Sequence, residues 1–317
     1  KNLKKCTLRK KFYRAKDAQA EYEYVRTESR TGIAITEDEL NTLDNLISPL
    51  VKKGQSIHHI CSNNADKIIY SEKTLYNYID AGLISACNID LPKKVRYRPR
   101  KKSGLIHKVD RNCRIGRTYD EFNVFMEENN YPLVVQMDSV IGKVGGKVLL
   151  TLHFVKSEFM LAFLRDANDS QSVIDVFDNL NFILGIETFQ KLFPVVLTDN
   201  GSEFSNPKVL ECDRTTGEIR TNIFYCDPGA SFQKGSAEKN HVEIRKVLPK
   251  GTSFDNLSQK DINLLMNHVN SYSRASLNDK TPYDSFKFIF GEEALKKLGF
   301  MLIPANDICL KPNLLKP

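Results

Sequence analysis

Apolar positions in the first third of the chain recur at helical spacing. Leu40, Leu43, Leu46, Ile47 and Leu50 follow a Thr36–Glu39 capping box. Gly54 stops that helix, and QSIHHICSNNA gives a short second one. Ser71 caps a third, SEKTLYNYIDAG, which Gly82 ends. Three short helices over 35–81 predict a helix-turn-helix unit whose last helix exposes Lys73, Thr74 and Tyr76. A packing or dimerisation bundle is the competing reading. His58 and His59 read as surface or satisfied core residues, because no Cys or carboxylate lies at metal-ligand spacing from them.

From residue 118 the pattern changes. YDEFNVFMEEN is a short amphipathic helix and PLVVQMDSVIG a strand. Gly145-Gly146 turns the chain into KVLLTLHFV, and EFMLAFLRD is a third strand. SQSVIDVFDNLNFILG places Val173, Ile174, Phe177, Leu180 and Leu184 on one side of a helix that Gly185 stops. IETFQKLF is a short helix, and PVVLTD and IFYC are strands. Further helices start near Glu238 and near Ser258, the latter the last expected. Hairpins followed by alternating helices and strands predict an α/β fold, a mixed sheet covered by helices.

Length and composition narrow the class. A chain of 317 residues suggests about two domains. No apolar stretch is long enough to span a bilayer, so a membrane partner is not expected. The basic start lacks the apolar core of a signal peptide and reads as a mid-protein segment. The seven cysteines are scattered with no CxxC pair, which argues against a disulfide framework and for a reducing cytosol. The net charge of +7 is unevenly placed. Arg9, Lys10, Lys11, Arg14 and Lys16 crowd the start, as a solvated tail or a DNA-contacting arm. Lys93, Lys94, Arg96, Arg98, Arg100, Lys101 and Lys102 crowd residues 92–117, where Asp110 is the one acid. Such a segment cannot bury itself and suits a phosphate backbone.

Three carboxylates carry the candidate chemistry. Asp138 ends the run YPLVVQMD, and Asp199 ends LFPVVLTD just before the Asn200-Gly201 turn. Glu238 opens a helix on which His241, Val242 and Arg245 share its face. Two aspartates at strand ends and a helical glutamate can converge over a sheet. Oxygen donors without Cys suit magnesium or manganese, and two such ions serve phosphodiester chemistry. Arg245 would then address a phosphate. Nearby, Glu203 reads as a loop residue and Glu243 falls on another helix face.

The string TDNGSEF at 198–204 resembles the second-aspartate motif of the retroviral-integrase and transposase superfamily. DPGASFQKGSAEKNHVEIRK at 227–246 is similar to its loop-and-glutamate motif, and SLNDKTPYDSF at 276–286 to its closing motif. With VVQMDSVIG, VLTDNGSEF and LPKGT, nearly the whole chain resembles bacterial transposases of insertion-sequence family 30. Ala237 and Lys239 depart from the asparagines usual beside the glutamate, and CDRTTGEIR at 212–220 reads as an extra hairpin.

The resemblance implies an α/β, RNase H-like catalytic domain at 118–300, preceded by a small all-α helix-turn-helix domain at 35–91. A basic segment at 1–34, a linker at 92–117 and a tail at 301–317 complete the chain. It implies two Mg2+ or Mn2+ ions held by Asp138, Asp199 and Glu238, acting in DNA cleavage and strand transfer. The partners implied are terminal inverted repeats, target DNA and a second copy of the chain. The expected location is the cytoplasm, at the bacterial nucleoid when DNA-bound. A decayed transposase kept as a DNA-binding regulator, and an RNase H-like nuclease, are the alternatives.

Overall fold

The computed structural model describes residues 12–28, 35–92, 94, 112–130 and 132–315. The chain divides into two compact units, 1–43 and 44–317. The first holds α1 (Ala15–Arg26), which buries nothing, and the start of α2 (Glu37–Lys52). The expected capping box opens α2: Glu39 N donates to Thr36 Oγ1 at 3.3 Å, and Thr36 N to Glu39 Oε2 at 3.0 Å.

In the second unit α2 leads to α3 (Ile57–Asn63) and α4 (Glu72–Asp80), capped by Ser56 and Ser71. Their apolar stripes meet, burying Ile47, Val51, Ile57, Ile60, Leu75 and Ile79. Next come α5 (Tyr119–Glu128), β1 (Val134–Ile141), β2 (Val148–Phe154) and β3 (Phe159–Arg165). α6 (Ser170–Leu184) and α7 (Ile186–Leu192) cross over to β4 (Val195–Thr198). α8 (Pro207–Glu211) precedes β5 (Asn222–Tyr225), and α9 (Gly235–Val247) and α10 (Gln259–Asn270) follow it. α11 (Pro282–Phe290) and α12 (Glu292–Lys297) come after the helix that the sequence pattern gave as the last. Thr281 caps α11, with Pro282 preset at its first position, and Phe286 fixes it in the core.

The five strands form one mixed sheet in the order β3-β2-β1-β4-β5. β1, β2 and β3 are antiparallel neighbours, whereas β1–β4 and β4–β5 are parallel. This is the α/β, RNase H-like arrangement expected. Alternation along β1 sorts its side chains. Val135 and Met137 face a core with Phe154, Phe177, Leu180, Phe189 and Phe286. Gln136, Asp138 and Val140 therefore lie on the opposite face. There Val140 and Leu149 pack with Ile244 and Val247 of α9 and Leu265 and Met266 of α10.

Residues 303–310 close this second core. Ile308 and Leu310 are buried in it. Leu310 N donates to Lys53 O at 2.8 Å, and Gln55 Nε2 to Ile308 O at 2.8 Å. His59 stacks on Tyr272 at 4.3 Å, and the Tyr272 hydroxyl accepts from Ser56 N at 3.0 Å. His58 bonds Glu72 at 2.8 Å and Asp279 at 2.6 Å. His59 is thus the satisfied core residue expected, whereas half-exposed His58 has two carboxylate partners, distant in the sequence, that its spacing did not reveal. The segment 212–220 does form a small hairpin, with an antiparallel bridge between Cys212 and Ile219.

Candidate active site

The parallel pairing of β1 with β4 sets the site. Gln136 pairs with Leu197, so two residues further along Asp138 and Asp199 come level at the carboxyl end of β4. β1 itself does not end at Asp138 but runs on to Ile141, paired with β2. Asp138 is therefore held within a continuous strand by pairing to Thr151 of β2, while its β4 side is open. Its Oδ1 accepts from Ser139 N at 2.8 Å. Asp199 leaves its strand into the turn, with Oδ1 accepting from Gly201 N at 3.1 Å. Asn200 Nδ2 ties that turn to Cys226 O at 2.9 Å.

Between the carboxylates lies a cation that sequence reading missed. Lys234 Nζ is 3.4 Å from Asp138 Oδ2 and 3.2 Å from Asp199 Oδ2. It also donates to Met137 O at 3.2 Å, and its side chain is only 6% exposed. Three acceptors thus match the three ammonium donors. In a chain this basic, one lysine gives no local signal. Its position one turn before Glu238, at the mouth of the helix, is the one cue available.

Polar contacts moor this end of α9 to the sheet. Gln136 Oε1 accepts from Ala237 N at 2.8 Å, and Gln136 Nε2 donates to Gln233 O at 3.4 Å. Buried His153 accepts from Asn240 Nδ2 at 2.9 Å, so its Nε2–H faces Ser236 Oγ at 2.7 Å. Burial holds its pKa down to about 3, which keeps it neutral.

His241 faces the same centre. Thr151 Oγ1 gives its proton to Asp138 O at 3.0 Å, so its 2.9 Å contact with His241 takes the proton of Nε2. Nδ1 is then a bare acceptor 3.8 Å from Asp138 Oδ2. Burial, aided by the charges of Lys234 and Arg245, lowers the His241 pKa to about 4. Burial pushes Asp138 above the ordinary aspartate range, and Asp199 adds to that shift while Lys234 opposes it. The two carboxylates are hard oxygen donors facing one small space, which suits a hard cation, and the His241 lone pair lies beside Asp138 alone.

Glu238 does not join this group. It is exposed on α9 and makes no hydrogen bond or ion pair among the described residues. Among those residues no three His, Cys, Asp or Glu side chains are gathered closely enough to hold a metal ion. The space between the aspartates is filled by Lys234. Glu203 is buried against Gly201, and Glu243 is buried against Lys246 and Arg274, so neither is a spare ligand.

The expected DNA contacts are dispersed. Lys73 is exposed on α4, while Thr74 and Tyr76 are half-buried. Thr74 Oγ1 bonds the capping Ser71 hydroxyl at 2.9 Å. Lys94 is paired with Asp80. Arg245 spends one amino group on Ile141 O at 2.9 Å. Lys93, Arg96, Arg98, Arg100, Lys101 and Lys102 lie outside the described residues, as do Arg9, Lys10 and Lys11. The described cysteines are free thiols, and no described helix is long and apolar enough to cross a membrane.

No protein-family model matches the chain. Curated relatives do. The chain is 26% identical over 246 residues, 76% of its length, to a probable transposase for the insertion-like sequence element IS1161 of Streptococcus salivarius, covering 62% of that protein. It is 31% identical over 134 residues, 42% of its length, to the transposase InsI for insertion sequence element IS30A of Escherichia coli, covering 33% of it. The chain thus spans less than two thirds of the curated relatives it matches. Among solved structures it is similar to the catalytic core domain of BIV integrase, at 17% identity and a TM-score of 0.34, over 52% of this chain and 97% of that one. The resemblance read from the motifs holds: the sequence is similar to insertion-sequence transposases, those of IS30 among them.

Proposed function

We propose that the protein is a DNA transposase whose reaction centre is built on Asp138 and Asp199. It would bind the terminal inverted repeats of an insertion sequence, cut DNA at their ends and join the strands to target DNA. One observation carries this reading: two carboxylates from adjacent parallel strands converge on a single buried cation, within 3.2–3.4 Å of Lys234 Nζ. Sequence similarity to insertion-sequence transposases supplies the substrate class.

Asp138, Asp199 and Glu238 would hold the metal, with Glu238 brought in from its exposed position on α9. Two magnesium or manganese ions bound there would supply charge stabilisation and an activated hydroxyl for in-line displacement at phosphorus. The chain's own groups prepare that setting. β1 fixes Asp138 by pairing beyond it on the β2 side, so its carboxylate needs no reordering. His241 is neutral near pH 7 and offers a lone pair, so it adds no charge that would repel a cation. Gln136 and His153 hold the loop and helix that carry Lys234 and Glu238. Arg245 keeps one amino group on Ile141 O and buries the other without a partner, so contact with a phosphate would require its side chain to swing out. Lys73 on α4 and the basic residues of 92–117 would hold duplex DNA. Joining two ends calls for at least two copies on DNA.

A second reading, a DNA-binding regulator derived from such an enzyme, is favoured by one feature: the exposed Glu238 forms no group with the aspartates. One experiment separates the two. The protein, end DNA and a target plasmid are incubated with Mg2+ beside the Glu238→Gln variant. Joined products that disappear with the substitution support the transposase. Retained DNA binding without cleavage by the wild type supports the regulator.

A further inference from the structure

We infer that Lys234 is a placeholder cation, which holds the aspartate pair together without metal and must leave it when a divalent ion binds. The inference rests on the metal-centre reading above and deepens it. The ammonium is not a solvated surface charge. Its side chain is 6% exposed, and its donors go to Asp138 Oδ2, Asp199 Oδ2 and Met137 O at 3.4, 3.2 and 3.2 Å. Without it, the two carboxylates would face one another with nothing positive between them, and the bare Nδ1 of His241 would add a further lone pair beside Asp138. That repulsion would be felt most by Asp138, whose side chain is largely buried, whereas Asp199 is about half exposed and partly screened.

The same geometry makes lysine and metal rivals. A divalent ion reaching both aspartates would occupy the space that Nζ now fills, and the two like charges repel. Lys234 lies on the short turn leading into α9, so its displacement requires only rotation of a four-carbon stem. Lys234 acts through Asp138 and Asp199 and is a positioning residue.

The test measures Mn2+ binding to DNA-free protein by electron paramagnetic resonance. It compares the wild type with Lys234→Gln, Lys234→Arg and Asp138→Asn, with circular dichroism to establish folding. The expected result is Mn2+ binding about tenfold or more tighter in Lys234→Gln, with Lys234→Arg close to wild type. Metal-free Lys234→Gln should melt at a lower temperature than wild type and recover on adding Mn2+. A merely structural lysine would give weaker Mn2+ binding when removed, and equal or weaker binding overturns the inference. If Mn2+ then still binds the wild type and is lost in Asp138→Asn, the metal centre itself stands. If neither wild type nor Lys234→Gln binds Mn2+, both the inference and the metal-centre reading fall. A wild-type measurement stands independent of the variants. Acetylation of Lys234, read by mass spectrometry, should rise as Mn2+ saturates the protein, and unchanged protection contradicts displacement.

Discussion

At the scale of single residues, the chemistry of this protein depends on groups kept in particular charge states by burial. His59, His153 and His241 are all held below the ordinary histidine range, His59 and His241 to about 4 and His153 to about 3, chiefly by desolvation. The unfolded chain takes up these protons near pH 6.5, before the folded chain does. Their stabilisation is complete above that pH and is lost as the pH falls toward 4, by up to about 1.4 kcal/mol per pH unit for each histidine. His58, between two carboxylates, is raised and acts in the opposite sense, but it is too exposed to dominate. The urea midpoint should fall between pH 6.5 and 4.5, and His59→Gln should flatten that slope. An unchanged slope would contradict the assignment. Gly142 poses a steric test. A Cβ there would sit 2.2 Å from the Thr252 carbonyl oxygen, where VVQMDSVIG meets LPKGT. Gly142→Ala should destabilise by more than about 2 kcal/mol in denaturant melts, since backbone must move.

At the scale of elements, most of the sheet was legible because strands need only apolar runs and turn residues. Val134–Ile141, Val148–Phe154 and Phe159–Arg165 each stand out, and the meander follows from Gly145-Gly146. α11 and α12 were not anticipated. PYDSFKFIF is short, and its helicity is decided by Phe286 docking against Phe154 and Phe159 at 5.0 and 4.4 Å. The aspartates were found because each follows an apolar run. Lys234 and the His241–Thr151–Asp138 contacts were not, because only the docking of α9 on β1 and β2 creates them. α6 shows a similar dependence on tertiary contact. Buried Arg220 pairs with Asp178 of α6 at 2.8 Å, donates to Leu210 O at 2.9 Å and lies 5.8 and 5.6 Å from the Phe177 and Phe189 rings. Arg220→Ala should cost about 3 kcal/mol, by emptying a filled site and leaving carbonyls unpaired. Thermal denaturation checks this, and a loss under about 1 kcal/mol would mean that water replaces the guanidinium.

At the scale of the whole molecule, the segment expected as a tail is part of the core. Ile308 and Leu310 are buried beside Val140, Leu149 and Ile244, Leu310 N donates to Lys53 O, and the Gln55 side-chain amide donates to the carbonyls of Ala305 and Ile308. Deleting residues 301–317 should remove roughly 3–6 kcal/mol of apolar burial. It should also loosen α3, which hydrogen exchange at Ile57–Asn63 would report. Unchanged protection there would show that α2–α4 stand without this segment. The basic stretch at 92–117 was legible as charge alone, and most of it lies outside the described residues.

The central claim is that Asp138 and Asp199 hold the metal on which DNA joining depends. Substituting Asp199 by Cys exchanges a hard oxygen donor for a soft thiolate, which accepts manganese more readily than magnesium. Strand joining by Asp199→Cys is predicted to vanish in Mg2+ and to return in part in Mn2+. Undiminished joining in Mg2+, or a loss that Mn2+ leaves untouched while the protein stays folded and DNA-bound, would contradict it.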